Sequence, residues 1–371
     1  MSVRLLELHG HAARRRPAEE DEDLPPYLHD VLAPGVILAR CREGEREREN
    51  LVSCRGHAPD DTARVATPVI LDCDPGHDDA IALLLLLASP EVRLLGVTTT
   101  YGNQTLDKTT ANALRVLELV GRADVPVAAG ADRPLARELV VAAHVHGESG
   151  LDGPMLPPPA TTVASEDALG SMHAWLQEEG GHVTLVPTGP LTNVARYLEA
   201  HGGEGIERIV LMGGAIAEGN FTPAAEFNVW CDPDAAQLVF GSGVDVTMVG
   251  LDVTHKAILG PAQEERLRGT GRVGAFVADL NVFFTRYHRE TYGWDGAPIH
   301  DAVAAAAVVR PELLETRYRN VAVEVESDLT RGRTVVDLWT RTDRLPNAHV
   351  AVDLDTPALF DLLTERIAAL G

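Results

Sequence analysis

The chain has 371 residues, 45% of them hydrophobic, enough for one large domain or two ordinary ones. Its formal net charge of -23 argues against nucleic acid or an anionic membrane surface as partner and favours a small neutral or cationic ligand. No stretch has the uninterrupted apolar length of a membrane-spanning helix, and Cys41, Cys54, Cys73 and Cys231 lack paired spacing, so reduced thiols in a cytoplasmic protein are expected.

Residues 1–66 differ in character from the rest of the chain. Arg14-Arg15-Arg16 runs straight into an acidic stretch from Glu19 to Asp23, and positions 43–49 alternate acid with arginine. This composition predicts a disordered N-terminal extension, or upstream sequence included by a mistaken start. Leu5-Leu6 is followed by polar residues rather than an apolar core, so a signal peptide is not expected.

From Thr67 a strand–helix rhythm begins, and 67–371 reads as one domain. A strand over 68–73 leads to a helix over 78–88, then a β-branched run from Leu94 to Thr100 and a helical pattern over 106–120. A short strand at 127–129 precedes a loop-rich segment, 130–162. A helix near 165–178, a strand at 183–187 and a helix opening after Thr188-Gly-Pro come next. Strands are expected at 206–212 and 245–251, with a helix from Asp232 to Phe240 between them. Residues 261–287 read as mainly helical, His300-Asp301 opens an alanine-rich helix, and strands at 318–325, 333–340 and 348–353 precede a closing helix. Alternation of this kind predicts an α/β fold, an open and mostly parallel sheet flanked by helices with a Rossmann-like core.

One stretch concentrates the chemistry. Val69-Ile-Leu-Asp72-Cys-Asp74-Pro-Gly-His-Asp78-Asp79 sets four aspartates within eight positions at the end of a strand and the start of a helix. Carboxylates so close repel unless a cation sits among them, and oxygen donors without sulfur suit calcium or magnesium. In a parallel sheet the carboxyl ends of the strands share one rim. Asn103, Thr188, the run from Met212 to Gly214 and the loops at 220–228 and 296–301 then join this stretch. The set is rich in carboxylate, amide and hydroxyl groups and lacks a basic cluster, which suits a sugar rather than a phosphate. No P-loop motif is present.

In order, Asp72-Cys-Asp-Pro-Gly-His-Asp-Asp79, Tyr101-Gly-Asn-Gln104, His146-Gly-Glu-Ser-Gly150, Val186-Pro-Thr-Gly189, Leu211-Met-Gly-Gly214, Ala225-Glu-Phe-Asn228 and His300-Asp301 are similar to the motifs of nucleoside hydrolases. The chain resembles the inosine–uridine-preferring branch of that family over 67–371. The resemblance implies calcium-dependent hydrolysis of ribonucleosides to ribose and free base. It implies that Asp74, Asp79 and Asp301 ligate Ca²⁺ through carboxylates and Thr188 through its carbonyl, with Asp74 also taking the proton of the attacking water. Asp78 and Asn228 are expected to hold ribose hydroxyls, Asn220 and Glu226 the 5′-hydroxyl, Met212 to pack on the sugar, and Asn103 to bond near the attacking water. His300 is expected to assist the leaving base, as a histidine titrating near neutrality. At least one of Tyr287, His288, Tyr292 and Trp294 is expected in the base pocket, Asp72 in a supporting role, His77 as a bystander, and His146 and Glu148 in a loop over the base or in holding that loop. A homodimer or homotetramer is expected by analogy.

Two other readings compete. A haloacid-dehalogenase-like phosphatase also opens with Asp-x-Asp, but there Thr or Val should come next and a phosphate-binding lysine is needed. Here Pro75-Gly76 follows, and Lys108 and Lys256 are the only lysines. A non-catalytic nucleoside-binding protein of the same fold should have lost Asp74 or His300-Asp301, and all three are present.

Overall fold

The computed structural model describes residues 65–371. The expected N-terminal extension therefore lies, apart from its last two residues, outside the described residues. β1 (Thr67–Cys73) is followed by α1 (His77–Ala88), β2 (Val92–Thr99), α2 (Leu106–Leu119) and β3 (Val127–Ala129). A long loop holding the single turn α3 (Ala143–His146) leads to α4 (Ala168–Glu179), β4 (Val183–Pro187), α5 (Thr192–His201) and β5 (Ile206–Met212). Then come α6 (Phe227–Cys231), α7 (Pro233–Gly241), β6 (Asp245–Val249), α8 (Leu251–Thr254), β7 (Ile258–Leu259), α9 (Pro261–Arg268), α10 (Arg272–Tyr292), β8 (Ala297–Pro298) and α11 (His300–Val309). A 3-10 turn at Pro311–Leu313 precedes β9 (Leu314–Arg319), β10 (Val321–Val323), β11 (Thr334–Val336), β12 (Ala348–Leu354) and α12 (Thr356–Ala368).

Eight strands form one open sheet in the order β3-β2-β1-β4-β5-β6-β12-β9. Every pairing is parallel except that of β9 with β12. Strands buried on both faces read as continuous apolar runs. In β1, Val69 and Leu71 enter one core with α1 and α11, while Ile70 enters the other with Leu185 and Ile209. The chain leaves β1 outward through β2 and β3, then returns to β1 on its other side with β4. This reversal leaves a crevice at the carboxyl ends of β1 and β4, where open α/β sheets bind ligands.

Most elements agree with the sequence periodicity. α10 runs on to Tyr292 after a break from α9, and the strand expected at 245–251 ends at Val249, where α8 begins. The C-terminal strands expected at 318–325 and 333–340 are instead β9, β10 and a short β11. Asp337 accounts for that shortening, because its carboxylate accepts from the backbone N–H of Arg341 and Thr342 and closes a loop in place of a ladder.

α1 packs against α11, and the reason is compositional. The leucines of α1 from Leu83 to Leu86 are essentially unexposed, and Ala302 with Ala304 to Ala306 gives α11 a low-relief surface on which a second helix can rest closely. Ala305 is 0% exposed. Ala305→Leu overpacks this contact and should lower stability by about 1–3 kcal/mol in urea unfolding. It should reduce turnover in the still-folded fraction as well, because the first turn of α11 carries His300 and Asp301.

Candidate active site

Two helices begin at the crevice. α1 brings Asp78 and Asp79 in its first turn, and α11 brings His300 and Asp301 in its own. Asp74 follows β1 directly and Thr188 follows β4, so four carboxylates from three segments meet at the point where the sheet reverses. Side-chain oxygens of Asp78, Asp79 and Asp301 lie within 4.8 Å of one another. Asp74 is not in that trio but is tied to it. Asn103 donates its backbone N–H to Asp74 Oδ2 at 2.6 Å, and its side-chain amide donates to the Asp74 carbonyl and, at 2.8 Å, to Asp79 Oδ2.

All four acids are buried, at 0% (Asp74), 4% (Asp78), 0% (Asp79) and 3% (Asp301) exposure. Among the described residues none of them is paired with lysine or arginine. Burial, and then the neighbouring Asp79, drives Asp74 well above the usual carboxylate range; burial, then Asp78 and Asp79, does the same to Asp301. Burial followed by Asp79 pushes Asp78 up to about 7. Asp79 is raised by burial against the opposing donors Gly76 N–H and Thr188 Oγ1, at 3.0 and 2.8 Å. Asp74 Oδ1 is buried with no hydrogen-bond partner among the described residues. An unpartnered carboxylate oxygen beside three more buried acids calls for a cation, and the all-oxygen donor set fits a hard one.

Backbone packs closely against Asp74 on two sides. A Cβ at Gly102, whose φ is +152°, would collide with Asp74 Oδ2, and one at Gly189 would lie 2.5 Å from Asp74 Oδ1. Asp72 turns away from this cluster. Thr98 Oγ1 and Asn193 Nδ2 donate to its Oδ1 at 2.6 and 2.8 Å, so it ties β1 to β2 and α5. Burial raises it to about 6 against those two donors.

A polar cavity opens above the acids, lined by Asp78, Asn103, Thr188, Met212, Asn220, Glu226, Asn228, His300 and Asp301. With Asp74 and Asp79 beneath it, every expected site residue lies in or at this one place. Asn228 Nδ2 donates to the Thr188 carbonyl at 2.7 Å and to the Met212 carbonyl at 3.3 Å, joining the ends of β4 and β5. Glu226 caps α6, accepting from the N–H groups of Asn228, Val229 and Gly214 at 2.8 to 3.0 Å. Asn220 accepts from Phe227 N–H at 2.9 Å, which sets the loop between β5 and α6.

A second cavity adjoins the first, sharing Asp78, Asn220, Phe227 and His300. Its wall is aromatic and imidazole-rich: His144, Phe221, His255, Phe284, Tyr287, His288 and Tyr292. Of the four residues expected near the base, Tyr287, His288 and Tyr292 line it, and Trp294 stacks on Tyr292 from behind. Phe284 is an addition to that set, although it shares a face of α10 with Tyr287 and His288 at helical spacing. His144 and His255 belong to the ends of single-turn helices, α3 and α8, too short to leave a periodic signal.

His300 departs from one expectation. Burial, and next to it His255 and His288, holds its imidazole well below the ordinary value. His77 packs flat on Phe283 and Phe284, and its Nε2 lies 2.8 Å from the Asp152 carbonyl, which makes it structural. His146 is buried beside it, while Glu148 faces solvent and pairs with Lys108. Glu148 thus fastens its loop, and the loop-holding alternative is the one the geometry supports. Asp252 lies in the first turn of α8. It accepts from Ile216 and Ala217 N–H at 2.6 and 3.1 Å, fixing the loop that carries Asn220.

Comparison with known proteins agrees with this geometry. The family model described as inosine-uridine preferring nucleoside hydrolase matches residues 69–361. The chain is 52% identical over 308 residues to a pyrimidine-specific ribonucleoside hydrolase of Citrobacter koseri, covering 82% of this chain and 99% of the relative. Its fold is similar to that of a purine-preferring ribonucleoside hydrolase of Gardnerella vaginalis, with a TM-score of 0.77 and 35% identity over 82% of this chain and 99% of that one. A plant nucleoside hydrolase superposes with a TM-score of 0.75 and 34% identity, again over 82% and 99%. The chain belongs to the inosine-uridine preferring nucleoside hydrolases, enzymes that hydrolyse the N-glycosidic bond of ribonucleosides to ribose and free base.

Proposed function

We propose that this hydrolase depends on calcium, that Asp74 and His300 carry its chemistry, and that pyrimidine ribonucleosides are its preferred substrates. The observation behind the metal is the buried acidic cluster, with Asp74 Oδ1 left without a partner among the described residues. Asp74, Asp79 and Asp301 would hold the ion through carboxylates and Thr188 through its carbonyl. When bound, calcium supplies positive charge that offsets the acids, polarises water and orients ribose hydroxyls.

The chain's own groups perform the rest. Asp74 accepts the proton of the attacking water, and Asn103, already bonded to it, holds both the carboxylate and the water in line. Asp78 and Asn228 take the hydroxyls at the metal side, Asn220 and Glu226 hold the 5′-hydroxyl, and Met212 packs on the sugar. The glycosidic bond breaks through a state with positive charge on the ribose, which the surrounding carboxylates stabilise. His300 meets the base across the second cavity and gives it a hydrogen bond as it leaves.

The base preference rests on relatives 52% identical that are named pyrimidine-specific, set against a purine-preferring one at 35%. The family match over 69–361 supports reading 67–371 as one hydrolase domain. The proposal extends to a cytoplasmic homo-oligomer, dimer or tetramer, that engages neither nucleic acid nor membrane. In its favour stand the net charge of -23 and the free, buried Cys73 and Cys231; among the described residues no helix is long and apolar enough to cross a membrane.

Ribose release from uridine, cytidine, inosine, adenosine, guanosine and 2′-deoxyuridine, with and without EGTA, tests the whole reading. Uridine and cytidine should lead, the deoxyriboside should be poor, and chelation should abolish turnover while lowering the melting temperature until calcium is restored. Undiminished turnover in EGTA would remove the metal. Asp74→Asn should lose at least about a hundredfold in kcat with the fold retained by circular dichroism. Gly102→Ala, which pushes a methyl onto Asp74, should lose about a hundredfold in turnover without touching substrate.

A further inference from the structure

We infer that Thr254 is a positioning residue, which fixes the His300 imidazole as the Nε2–H tautomer and turns that N–H toward the departing base. The inference rests on reading His300 as the group that meets the base, and it adds which ring nitrogen carries the proton there.

Thr254 closes the single turn α8 and is 0% exposed. Its Oγ1 lies 2.7 Å from His300 Nδ1, the only side-chain hydrogen bond either group makes among the described residues. The usual outlet for a helical threonine hydroxyl is the carbonyl four residues back. Among the described residues the Thr254 hydroxyl makes no bond to that carbonyl, on Gly250, and pairs with His300 alone. The hydroxyl proton therefore has one acceptor within reach, His300 Nδ1. Were Nδ1 protonated, it would donate to Oγ1 and leave the buried Thr254 O–H without an acceptor among the described residues, which folded proteins avoid. The hydroxyl donates, Nδ1 accepts, and the ring proton resides on Nε2.

Nε2 in turn makes no hydrogen bond among the described residues, and it is not among the fully buried unpartnered atoms. It faces the open space of the two cavities that His300 lines. A neutral Nε2–H can donate to a base nitrogen or oxygen as charge builds there, whereas the opposite tautomer would present a lone pair and repel it. Thr254 touches neither sugar nor base, and its influence passes through the ring.

The test uses Thr254→Val, which keeps shape and removes the hydroxyl, Thr254→Ser, which keeps the hydroxyl, and His300→Ala, singly and with Thr254→Val. Uridine is compared with 4-nitrophenyl riboside, whose leaving group needs no protonation. Thr254→Val should lower kcat on uridine about tenfold with KM little changed and leave the nitrophenyl riboside within about twofold. Thr254→Ser should restore uridine, and Thr254→Val should cost nothing further in the His300→Ala background. Equal loss on both substrates, or full uridine turnover in Thr254→Val where His300→Ala is impaired, would overturn the inference. Nitrogen-15 spectra of histidine-labelled enzyme read the tautomer directly. An unprotonated His300 Nδ1 in wild type that is lost in Thr254→Val supports the inference, and a protonated one in wild type ends it. If His300→Ala turns over uridine normally, the role of His300 falls, and the spectra still decide whether Thr254 sets its tautomer.

Discussion

Four carboxylates held out of water at one point of the sheet are the constraint on which the rest of this molecule depends. Like charges at that spacing in a medium of low polarity raise one another's proton affinity, and no lysine or arginine among the described residues relieves them. What relief the chain provides comes from neutral donors: the Asn103 amide, the Gly76 and Asn103 N–H groups and the Thr188 hydroxyl. Such donors orient carboxylates without neutralising them, which keeps the charge available for a cation and for the positive sugar of the transition state. The positive ends of α1 and α11 add to this from two sides.

The surrounding architecture is arranged to hold that point still. The reversal at β1 brings Asp74 and Thr188 side by side, Asn228 bridges the next pair of strand ends, and α8 fixes two parts of the site with one turn of helix. Its Asp252 fastens the loop bearing Asn220, and its Thr254 meets His300. In the proposed reading sugar and base fall to two adjoining cavities, one lined by acids and amides and the other by rings. A family built this way can change the base it prefers by exchanging rings of the second cavity while the sugar chemistry stays fixed.

Most of the site is legible in the sequence because its residues sit where regular elements end. Asp74, Asn103, Thr188 and Met212 each follow or close a strand, and Asp78, Asp79 and Asp301 each start a helix, so periodicity alone sets them on one rim. The aromatic cavity is less legible. Phe284, Tyr287 and His288 share a helical face that an ordinary core would also show, and His144 and His255 ride on single turns with no period at all. The downward shift of His300 has no sequence signal, since it follows from how deeply the ring is packed and from its imidazole neighbours, neither of which has a one-dimensional trace. The C-terminal strands diverge because a loop closed by Asp337 outcompetes a ladder that β-propensity alone would extend.

The cluster also draws on opposite ends of the domain, Asp74 from its first strand and Asp301 from a helix near its end. A chain emerging from the ribosome would make the first three aspartates early and meet the fourth only after nearly all the intervening strands had appeared. Closing so long a loop is entropically slow, and until it happens the acids of β1 and α1 stand in water, hydrated and content. The docking of α11 on α1 expels that water and creates the electrostatic demand, and a cation bound there would act as a latch on the finished topology.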